Sequence, residues 1–187
     1  MNRRTWLQSL FAAAAGTTLA ANARGATSMA SKQVEELQKN WRLLLAEGVR
    51  PPSPSEKLNL SKDEWKKRLD KMQYHVLREE GTERAGSSPL DHEKRAGVFA
   101  CAGCDLPVFT SDMKFDSGTG WPSFFTTIPG VFETKTDYLL IYPRTEYHCM
   151  RCGGHHGHVF NDGPKPTGLR YCNNGVALKF IPKSAKA

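Results

Sequence analysis

The apolar positions follow a helical period in the first part of the chain. Over about residues 31–46 an apolar residue recurs every three or four positions, which predicts an amphipathic helix. Gly48 and the Pro51-Pro52-Ser53-Pro54 segment end this helix and form a stiff linker. A capping-box pattern, Ser61 followed by Glu64, begins a second predicted helix that runs to about Tyr74.

Beyond residue 80 the pattern changes to short apolar and aromatic runs separated by turns. Thirteen of the sixteen glycines lie there, so tight turns are frequent and long helices are not expected. This part of the chain is therefore predicted to be all β. Its predicted strands are Val98–Cys101, Leu106–Phe109, Val131–Phe132, Tyr138–Tyr142, Glu146–Cys149, His158–Phe160 and Ala177–Phe180.

The first 26 residues have the parts of an export signal. Arg3 and Arg4 precede a mild apolar run at residues 10–15, and small residues follow to Ala26. Paired arginines are typical of the twin-arginine route, which predicts an exported, periplasmic protein without a membrane partner after cleavage. The alternatives are a Sec-type signal and an amphipathic or uncleaved anchor helix. The expected organisation is a signal at 1–26, a helix and Pro-rich linker at 27–59, and one domain at 60–187.

Charge and composition narrow the possible functions. The 187 residues are 39% hydrophobic and 24% charged, which is typical of a globular domain and argues against disorder. The formal charge of +7 falls to +4 without the export signal, because that segment carries three arginines and no acid. The other basic residues are spread along the chain, so nucleic acid is not expected as a partner.

Four of the five cysteines form two Cys-x-x-Cys pairs, Cys101 with Cys104 and Cys149 with Cys152. Two such pairs beside predicted strand ends provide the tetrahedral sulfur shell that Zn²⁺ prefers. We therefore expect one structural zinc ion per chain, without a catalytic role, since four protein ligands leave no open position. Two disulfides and two redox-active pairs are the alternatives.

The fifth cysteine, Cys172, is a candidate nucleophile. Arg170 lies two residues before it, on the same face of a strand, and a guanidinium favours the thiolate form. Asn174 lies two residues after it and offers amide hydrogen bonds. A lone cysteine is otherwise an inert buried thiol, so the case for Cys172 depends on these neighbours.

Two further segments carry candidate chemistry. His155 and His158 directly follow the second cysteine pair, and imidazoles can supply a proton at neutral pH. A second metal site or a solvated loop is the alternative for these histidines. Trp121 precedes Pro122, which stiffens the chain beside it, so the indole can pack on a ligand methyl group. A core tryptophan at a turn is the alternative there.

Together these motifs resemble the B class of peptide-methionine sulfoxide reductases over about residues 60–181. The resemblance implies a mainly β fold of two antiparallel sheets around a structural zinc site, with short N-terminal helices. It also implies reduction of the R epimer of methionine sulfoxide. The segments that carry it are Cys101-x-x-Cys104, Lys114–Phe124, Cys149-x-x-Cys152, His155-x-Gly-His158-Val-Phe160, Gly163-Pro and Pro166–Asn174.

The resemblance implies a role for each candidate residue. Cys172 would attack the sulfoxide sulfur and become a sulfenic acid as methionine leaves. The groups that bind and protonate the sulfoxide would be His155, His158 and Asn174. Trp121 would contact the methyl group of the substrate, and Phe160 would also contact the substrate. Arg170 would support the thiolate.

Thr119 departs from the pattern of the family members that carry a resolving cysteine at this position. With four thiols assigned to zinc, no free second cysteine remains. The sulfenic acid is therefore expected to react with an external donor, a thioredoxin-like protein or another thiol, unless a zinc ligand is borrowed. The expected substrates are oxidised proteins or peptides that contain methionine sulfoxide.

Two other classes of function fit part of the sequence. A zinc-ribbon module without catalysis would use its net charge to hold nucleic acid or a protein. A cysteine hydrolase would use Cys172 with His155 or His158 to cleave an ester or an amide. Reduction of a sulfoxide distinguishes the reductase from both.

Overall fold

The computed structural model describes residues 31–138 and 143–183. Residues 31–40 are helical (α1) and continue into a 3₁₀ turn at Trp41–Leu44. Two short helices follow, α2 (Lys62–Arg68) and α3 (Lys71–Glu79). No helix within the described ranges is both long and apolar enough to cross a bilayer. The predicted export signal lies outside these ranges.

The single helix predicted to run to Tyr74 is wrong, because the chain turns between α2 and α3. The Ser61 capping box forms as predicted, but Leu69 has extended backbone angles and ends α2. Asp70 then caps α3, and its side chain accepts a 2.8 Å hydrogen bond from the Gln73 N–H. The Asp70 N–H in turn donates to Oε1 of Gln73 at 3.2 Å, which makes a second capping box.

Nine strands in the rest of the described residues form two antiparallel sheets, which confirms the predicted fold class. A three-stranded sheet has the order β2-β1-β9, and a six-stranded sheet has the order β3-β4-β8-β7-β6-β5. The strands are β1 Gly97–Cys101, β2 Pro107–Thr110, β3 Lys114–Phe115, β4 Ser123–Phe124, β5 Phe132–Asp137, β6 Arg144–Cys149, β7 His155–Phe160, β8 Arg170–Asn173 and β9 Leu178–Pro182.

The predicted strand at Tyr138–Tyr142 stays a prediction, since the structure describes only its first residue. The preceding strand, β5, ends at Asp137, and Tyr138 lies beyond it with an exposed side chain. Residues 139–142 lie outside the described ranges. The side chains of Glu133, Thr134, Lys135 and Thr136 are all exposed, so β5 lacks the apolar alternation by which a strand is found from sequence.

An aromatic core lies between the two sheets. The rings of Phe109 and Phe124 are stacked with centroids 3.9 Å apart, and Phe99 meets Phe124 edge-on at 5.1 Å. On another side, α3 buries Val76 and Leu77 in the same core. The N-terminal segment also belongs to it, since Trp41 is only 8% exposed. Burial of these side chains fixes the two sheets relative to each other.

Candidate active site

Both Cys-x-x-Cys segments adopt the same backbone conformation. In the first, the Asp105 N–H donates to the Cys101 carbonyl at 2.9 Å, and Asp105 has φ +63°. In the second, the Gly153 N–H donates to the Cys149 carbonyl at 2.8 Å, and Gly153 has φ +67°. Each turn follows the end of a strand, β1 in one sheet and β6 in the other. The two turns therefore bring four thiols together where the sheets meet.

The four sulfurs have the spacing of a metal shell. All four Sγ atoms lie within 4.8 Å of one another and are buried. The Cys101–Cys152 and Cys104–Cys149 Sγ distances are 3.7 and 3.5 Å. A tetrahedron with metal–sulfur bonds of about 2.3 Å has edges of about 3.8 Å, whereas a disulfide needs about 2.05 Å. This cluster can hold a metal ion, and it is the one cluster of that kind in the described part of the chain.

Three arginines donate to carbonyl groups of these turns. Arg68 reaches the Gly103 carbonyl, Arg151 the Cys104 carbonyl and Arg78 the Cys152 carbonyl, each at 2.7 Å. Their positive charges surround a site that becomes negative when four thiolates bind one divalent ion. The donor set, its burial and its charge environment all fit the expected metal.

A single cross-strand row crosses the six-stranded sheet. Lys135 on β5 pairs with Glu146 on β6, which pairs with His158 on β7, and His158 pairs with Cys172 on β8. Cys172 in turn pairs with Ser123 on β4. Side chains of directly paired residues lie on one face of a sheet about 5 Å apart. The row therefore places the free thiol next to an imidazole, with a carboxylate and an ammonium beyond it.

The Cys172 thiol is half-buried, and burial raises its pKa. The charge of Arg170 and the hydroxyl of Thr119 act in the opposite direction, since both stabilise the thiolate. Desolvation of the thiol outweighs these two opposing effects, so the role of Arg170 in catalysis stays a prediction. The free site consequently holds a protonated thiol at neutral pH.

Arg170 is held in place by two contacts that the sequence did not predict. Its Nε and Nη2 donate to the two carboxylate oxygens of Asp162, both at 2.8 Å. Its guanidinium also lies over the Phe160 ring, 4.4 Å from the centroid. Phe160 therefore supports Arg170 from one side, in addition to the predicted contact with substrate.

A β-bulge turns His155 and His158 to the same side of the sheet. Residues three apart on a regular strand point to opposite faces, but the pairing of β6 with β7 skips His156. The two predicted rings consequently lie 5.5 Å apart. A Cβ on Gly157 would lie 2.0 Å from the Cys172 carbonyl oxygen, so the close approach of β7 and β8 requires glycine there.

Each of the two predicted histidines has its own carboxylate partner. Nε2 of His158 lies 2.7 Å from Oδ2 of Asp137, which also accepts from Arg144 at 2.6 Å. Burial lowers the pKa of His158, and the hydrogen bond to Asp137 opposes this effect. Nδ1 of His155 lies 2.9 Å from Oε1 of Glu146, off the direction of a hydrogen bond. Neither acid was predicted from the sequence, because each reaches its histidine only through strand pairing.

His156, the bulged residue, points into the core. Its Nδ1 contacts Oδ1 of Asn173 at 3.1 Å, and the same oxygen accepts from the Tyr147 hydroxyl at 2.9 Å. Complete burial lowers the pKa of His156 to about 4, so the ring is neutral. The alternative of a second metal site at these histidines finds no support in the described ranges.

Trp121 and Asn174 are both tied to Glu83. The Trp121 indole N–H donates to the Glu83 carbonyl at 3.3 Å, and the half-buried ring is thereby oriented. Oδ1 of Asn174 accepts from the Glu83 N–H, and its Nδ2 donates to the His156 carbonyl, both at 3.0 Å. The Asn174 amide thus forms hydrogen bonds with two backbone groups, and its contact with a sulfoxide stays a prediction.

Comparison with known proteins gives a family for this site and fold. The SelR domain matches residues 69–182. Peptide methionine sulfoxide reductase MsrB of Agrobacterium fabrum is 50% identical over 129 residues, which cover 68% of this chain and 96% of the relative. The chloroplastic peptide methionine sulfoxide reductase B1 of Arabidopsis thaliana is 48% identical over 135 residues, 72% of this chain and 67% of the relative. Peptide methionine sulfoxide reductase MsrB of Methanosarcina barkeri is 53% identical over 121 residues, which cover 64% of this chain and 85% of the relative.

A SelR domain with a half-buried thiol beside carboxylate-paired histidines defines an oxidoreductase. The chain belongs to the peptide methionine sulfoxide reductase B family. The predicted resemblance and the predicted class of enzyme are thereby confirmed. A binding module without catalysis and a cysteine hydrolase were the alternatives, and membership of this family excludes both.

Proposed function

We propose that this chain reduces the R epimer of methionine sulfoxide in oxidised proteins or peptides, with Cys172 as the nucleophile. The observation that carries the proposal is the cross-strand row, which pairs Cys172 with His158 on one face of the sheet. Cys172 is also the one cysteine outside the four-sulfur cluster. Nucleophile and acid are thus adjacent on rigid strands, as thiol chemistry on a sulfoxide requires.

The chemical step transfers the sulfoxide oxygen to Cys172. The thiolate sulfur attacks the sulfoxide sulfur and forms a sulfur–sulfur bond while the oxygen is protonated. The oxygen then bonds to the sulfur of Cys172 as the sulfur–oxygen bond of the substrate and the new sulfur–sulfur bond both break. The products are methionine, reduced by two electrons, and a sulfenic acid on Cys172, which is oxidised by two electrons. Trp121 and Phe160 exclude water and contact the apolar part of the substrate.

The protons balance without an outside source. Burial keeps Cys172 protonated in the free enzyme, so its own proton is available when substrate binds. His158 receives that proton and returns it to the sulfoxide oxygen, while Asp137 stabilises the imidazolium between these transfers. His155, 5.5 Å from His158 between ring centroids, is the second group that can bind the oxygen. Arg170 stabilises the thiolate during attack.

Recycling requires an external thiol in this proposal. Thr119 contacts Cys172 where a resolving cysteine would otherwise lie. Two equivalents of thiol convert the sulfenic acid to a thiol, a disulfide of the donor and water. The donor is thioredoxin-like or another low-potential thiol.

We propose that the metal is Zn²⁺, one per chain, held by Cys101, Cys104, Cys149 and Cys152. Zinc in a complete thiolate shell supplies cross-linking and no chemistry of its own. Its ligands lie at the ends of β1 and β6, so it would tie the two sheets together near the start of β7. Strand β7, which carries His155 and His158, would thereby be anchored at Cys152, three residues before His155.

We also propose that residues 1–26 direct export, through the twin-arginine route, to the periplasm. Support comes from Arg3-Arg4, the apolar run and the small residues that follow. That route carries folded proteins, so the metal would be loaded before export. Fusion of residues 1–30 to a reporter, with Arg3→Lys plus Arg4→Lys as the control, tests the route. Export of the reporter that carries both lysine substitutions would contradict the twin-arginine route.

The test of the reductase proposal is reduction of a methionine-sulfoxide peptide whose two epimers have been separated, with dithiothreitol as donor. We expect turnover of the R epimer alone, and none by Cys172→Ser. Metal content and circular dichroism of Cys172→Ser should match those of the native chain, because Cys172 lies outside the metal cluster. Turnover of the S epimer, or activity in Cys172→Ser, would contradict the proposal.

A further inference from the structure

A series of charged side chains in contact with one another extends from the protein surface to His155. Nζ of Lys135 lies 2.5 Å from Oε1 of Glu80 and 3.1 Å from Oε2 of Glu146. The other oxygen of Glu146 lies 2.9 Å from Nδ1 of His155. The order Glu80, Lys135, Glu146, His155 thus crosses from the end of α3 through β5 and β6 to β7.

Glu146 is the central group of this series. Its side chain is 4% exposed, so its carboxylate has little water and depends on protein partners. The contact with His155 lies off the direction of a hydrogen bond and cannot by itself fix the carboxylate. Lys135, its direct partner across the β5–β6 pair, therefore sets its orientation.

Lys135 is in turn held from outside by Glu80. Its side chain is 45% exposed and would be mobile without a partner at the surface. Glu80 caps α3 in the left-handed conformation, at φ 57°, where glycine is the usual residue. A carboxylate at this position instead reaches Lys135, so the ammonium is fixed by two acids from two elements.

We propose that Lys135 is a positioning residue for His155 in the reduction of methionine sulfoxide. By holding the Glu146 carboxylate 2.9 Å from Nδ1, Lys135 favours a ring proton on that nitrogen and leaves the Nε2 lone pair to accept from the sulfoxide oxygen once that oxygen is protonated. This inference rests on the proposed function for its kinetic consequence, but the orientation of His155 can be measured without substrate.

Other charged groups around His155 do not replace this contact. His158 has its own acid, Asp137, and Arg78 donates to the Cys152 and Gly153 carbonyls. Charged and titratable groups on the elements next to His155 include Lys135 and Asp137 on β5, Arg144, Glu146 and His148 on β6, His156 and His158 on β7, Cys172 on β8, and Arg78 and Glu80 at the end of α3. Within this set, Lys135 is the direct cross-strand partner of Glu146 from β5.

The experiment compares Lys135→Met with Lys135→Arg, and with Lys39→Met as a matched control. Lys39 forms an exposed pair with Glu35 on α1, away from the site, so its loss removes the same charge without touching Glu146. The first readout is the ¹⁵N spectrum of histidine-labelled protein near pH 8, with the His155 signals assigned by His155→Gln. The second is kcat and KM for the R sulfoxide.

We expect Lys135→Met to lower kcat about tenfold with KM nearly unchanged, since a misdirected His155 no longer accepts from the oxygen as it is protonated, while His158 still transfers the proton. The His155 signals should lose the pattern of an Nδ1-protonated ring. Lys135→Arg should restore both, and Lys39→Met should match the native protein. Native His155 spectra and native kcat in Lys135→Met would overturn the inference. If the native protein did not reduce the R sulfoxide, the proposed function would be overturned instead. The ¹⁵N spectra would still decide whether Lys135 orients His155.

Discussion

Cys172 on β8 and His158 on β7 are direct partners across the sheet. This pairing places the thiol and the imidazole side by side on two strands that are both hydrogen-bonded along their length. Nε2 of His158 is in turn fixed by Asp137 at 2.7 Å. The proposed nucleophile, the proposed acid and the partner of that acid are therefore held by strands rather than by loops.

This arrangement predicts that His158 and Asp137 act as a unit. His158→Ala should lower kcat/KM by about 10²–10⁴, the usual range for a general acid. Asp137→Asn keeps the shape of the side chain but removes the charge that stabilises the imidazolium, so it should lower the rate by a smaller factor. Steady-state kinetics of both variants and of the double variant measure their coupling.

The control for this pair is His92→Ala, which removes an exposed histidine away from the row. It should keep the native rate. If the two losses simply multiplied in the double variant, or if His158→Ala kept the native rate, His158 would not be the acid that Asp137 supports.

Metal binding is expected to determine the stability of the fold. A four-thiolate site can contribute on the order of 10 kcal/mol, comparable with the stability of a whole domain. Cys101→Ser should therefore yield little soluble protein, and the native chain should contain one zinc by elemental analysis. Cys172→Ser is the matched control, because it removes a thiol outside the cluster and should keep the metal. A metal-free Cys101→Ser protein with native melting temperature would contradict this account.

Burial of His156 predicts a loss of stability in acid. Its pKa is about 4 in the folded chain, below the ordinary value of 6.5, so the folded state resists protonation. The contribution of neutral His156 to the free energy of unfolding is complete above pH 6.5 and is lost as the pH falls toward 4. Between pH 7 and 5, urea unfolding of the native chain should lose about 2 kcal/mol more than that of His156→Leu, at about 1.4 kcal/mol per pH unit. Equal losses in the two proteins would mean that His156 is not the group responsible.

Thr119 predicts what a resolving cysteine would do here. Its hydroxyl contacts Cys172, so Thr119→Cys places a second thiol beside the nucleophile. We expect a single turnover of this variant to end in a disulfide, detected as the loss of two hydrogens by mass spectrometry, provided that the Cα atoms lie within about 7 Å. Ser55→Cys, on the exposed linker, adds a thiol away from the site and should form none. A persistent sulfenic acid in Thr119→Cys would show that the two positions cannot bridge.

The sequence predicted those features of the site that depend on local motifs. The two Cys-x-x-Cys pairs each need only a tight turn, and their four sulfurs do come together in a buried cluster. The capping box at Ser61 is likewise a local signal and forms as predicted. Asp70 with Gln73 is the same kind of local signal, and it separates the two helices that the apolar spacing alone predicts as one.

What could not be predicted depends on strand register. Asp137, Glu146 and Asp162 are ordinary acids in the sequence, and the first two meet their histidines only because β5, β6 and β7 pair as they do. The bulge at His156 has the same origin, since it exists only in the pairing of β6 with β7. The net pKa of Cys172 also escaped prediction, because the sequence contains Arg170 but not the degree of burial.

The central claim, that Cys172 alone carries the oxygen away from the substrate, is tested by one single-turnover measurement. Native enzyme without reductant is mixed with an equal amount of the R sulfoxide, trapped with dimedone and analysed by mass spectrometry. We predict one methionine formed per chain and one dimedone adduct, on Cys172, because the other four thiols lie buried in the four-sulfur cluster. A disulfide that joins Cys172 to a cysteine of the cluster, or methionine formed without an adduct on Cys172, would contradict it.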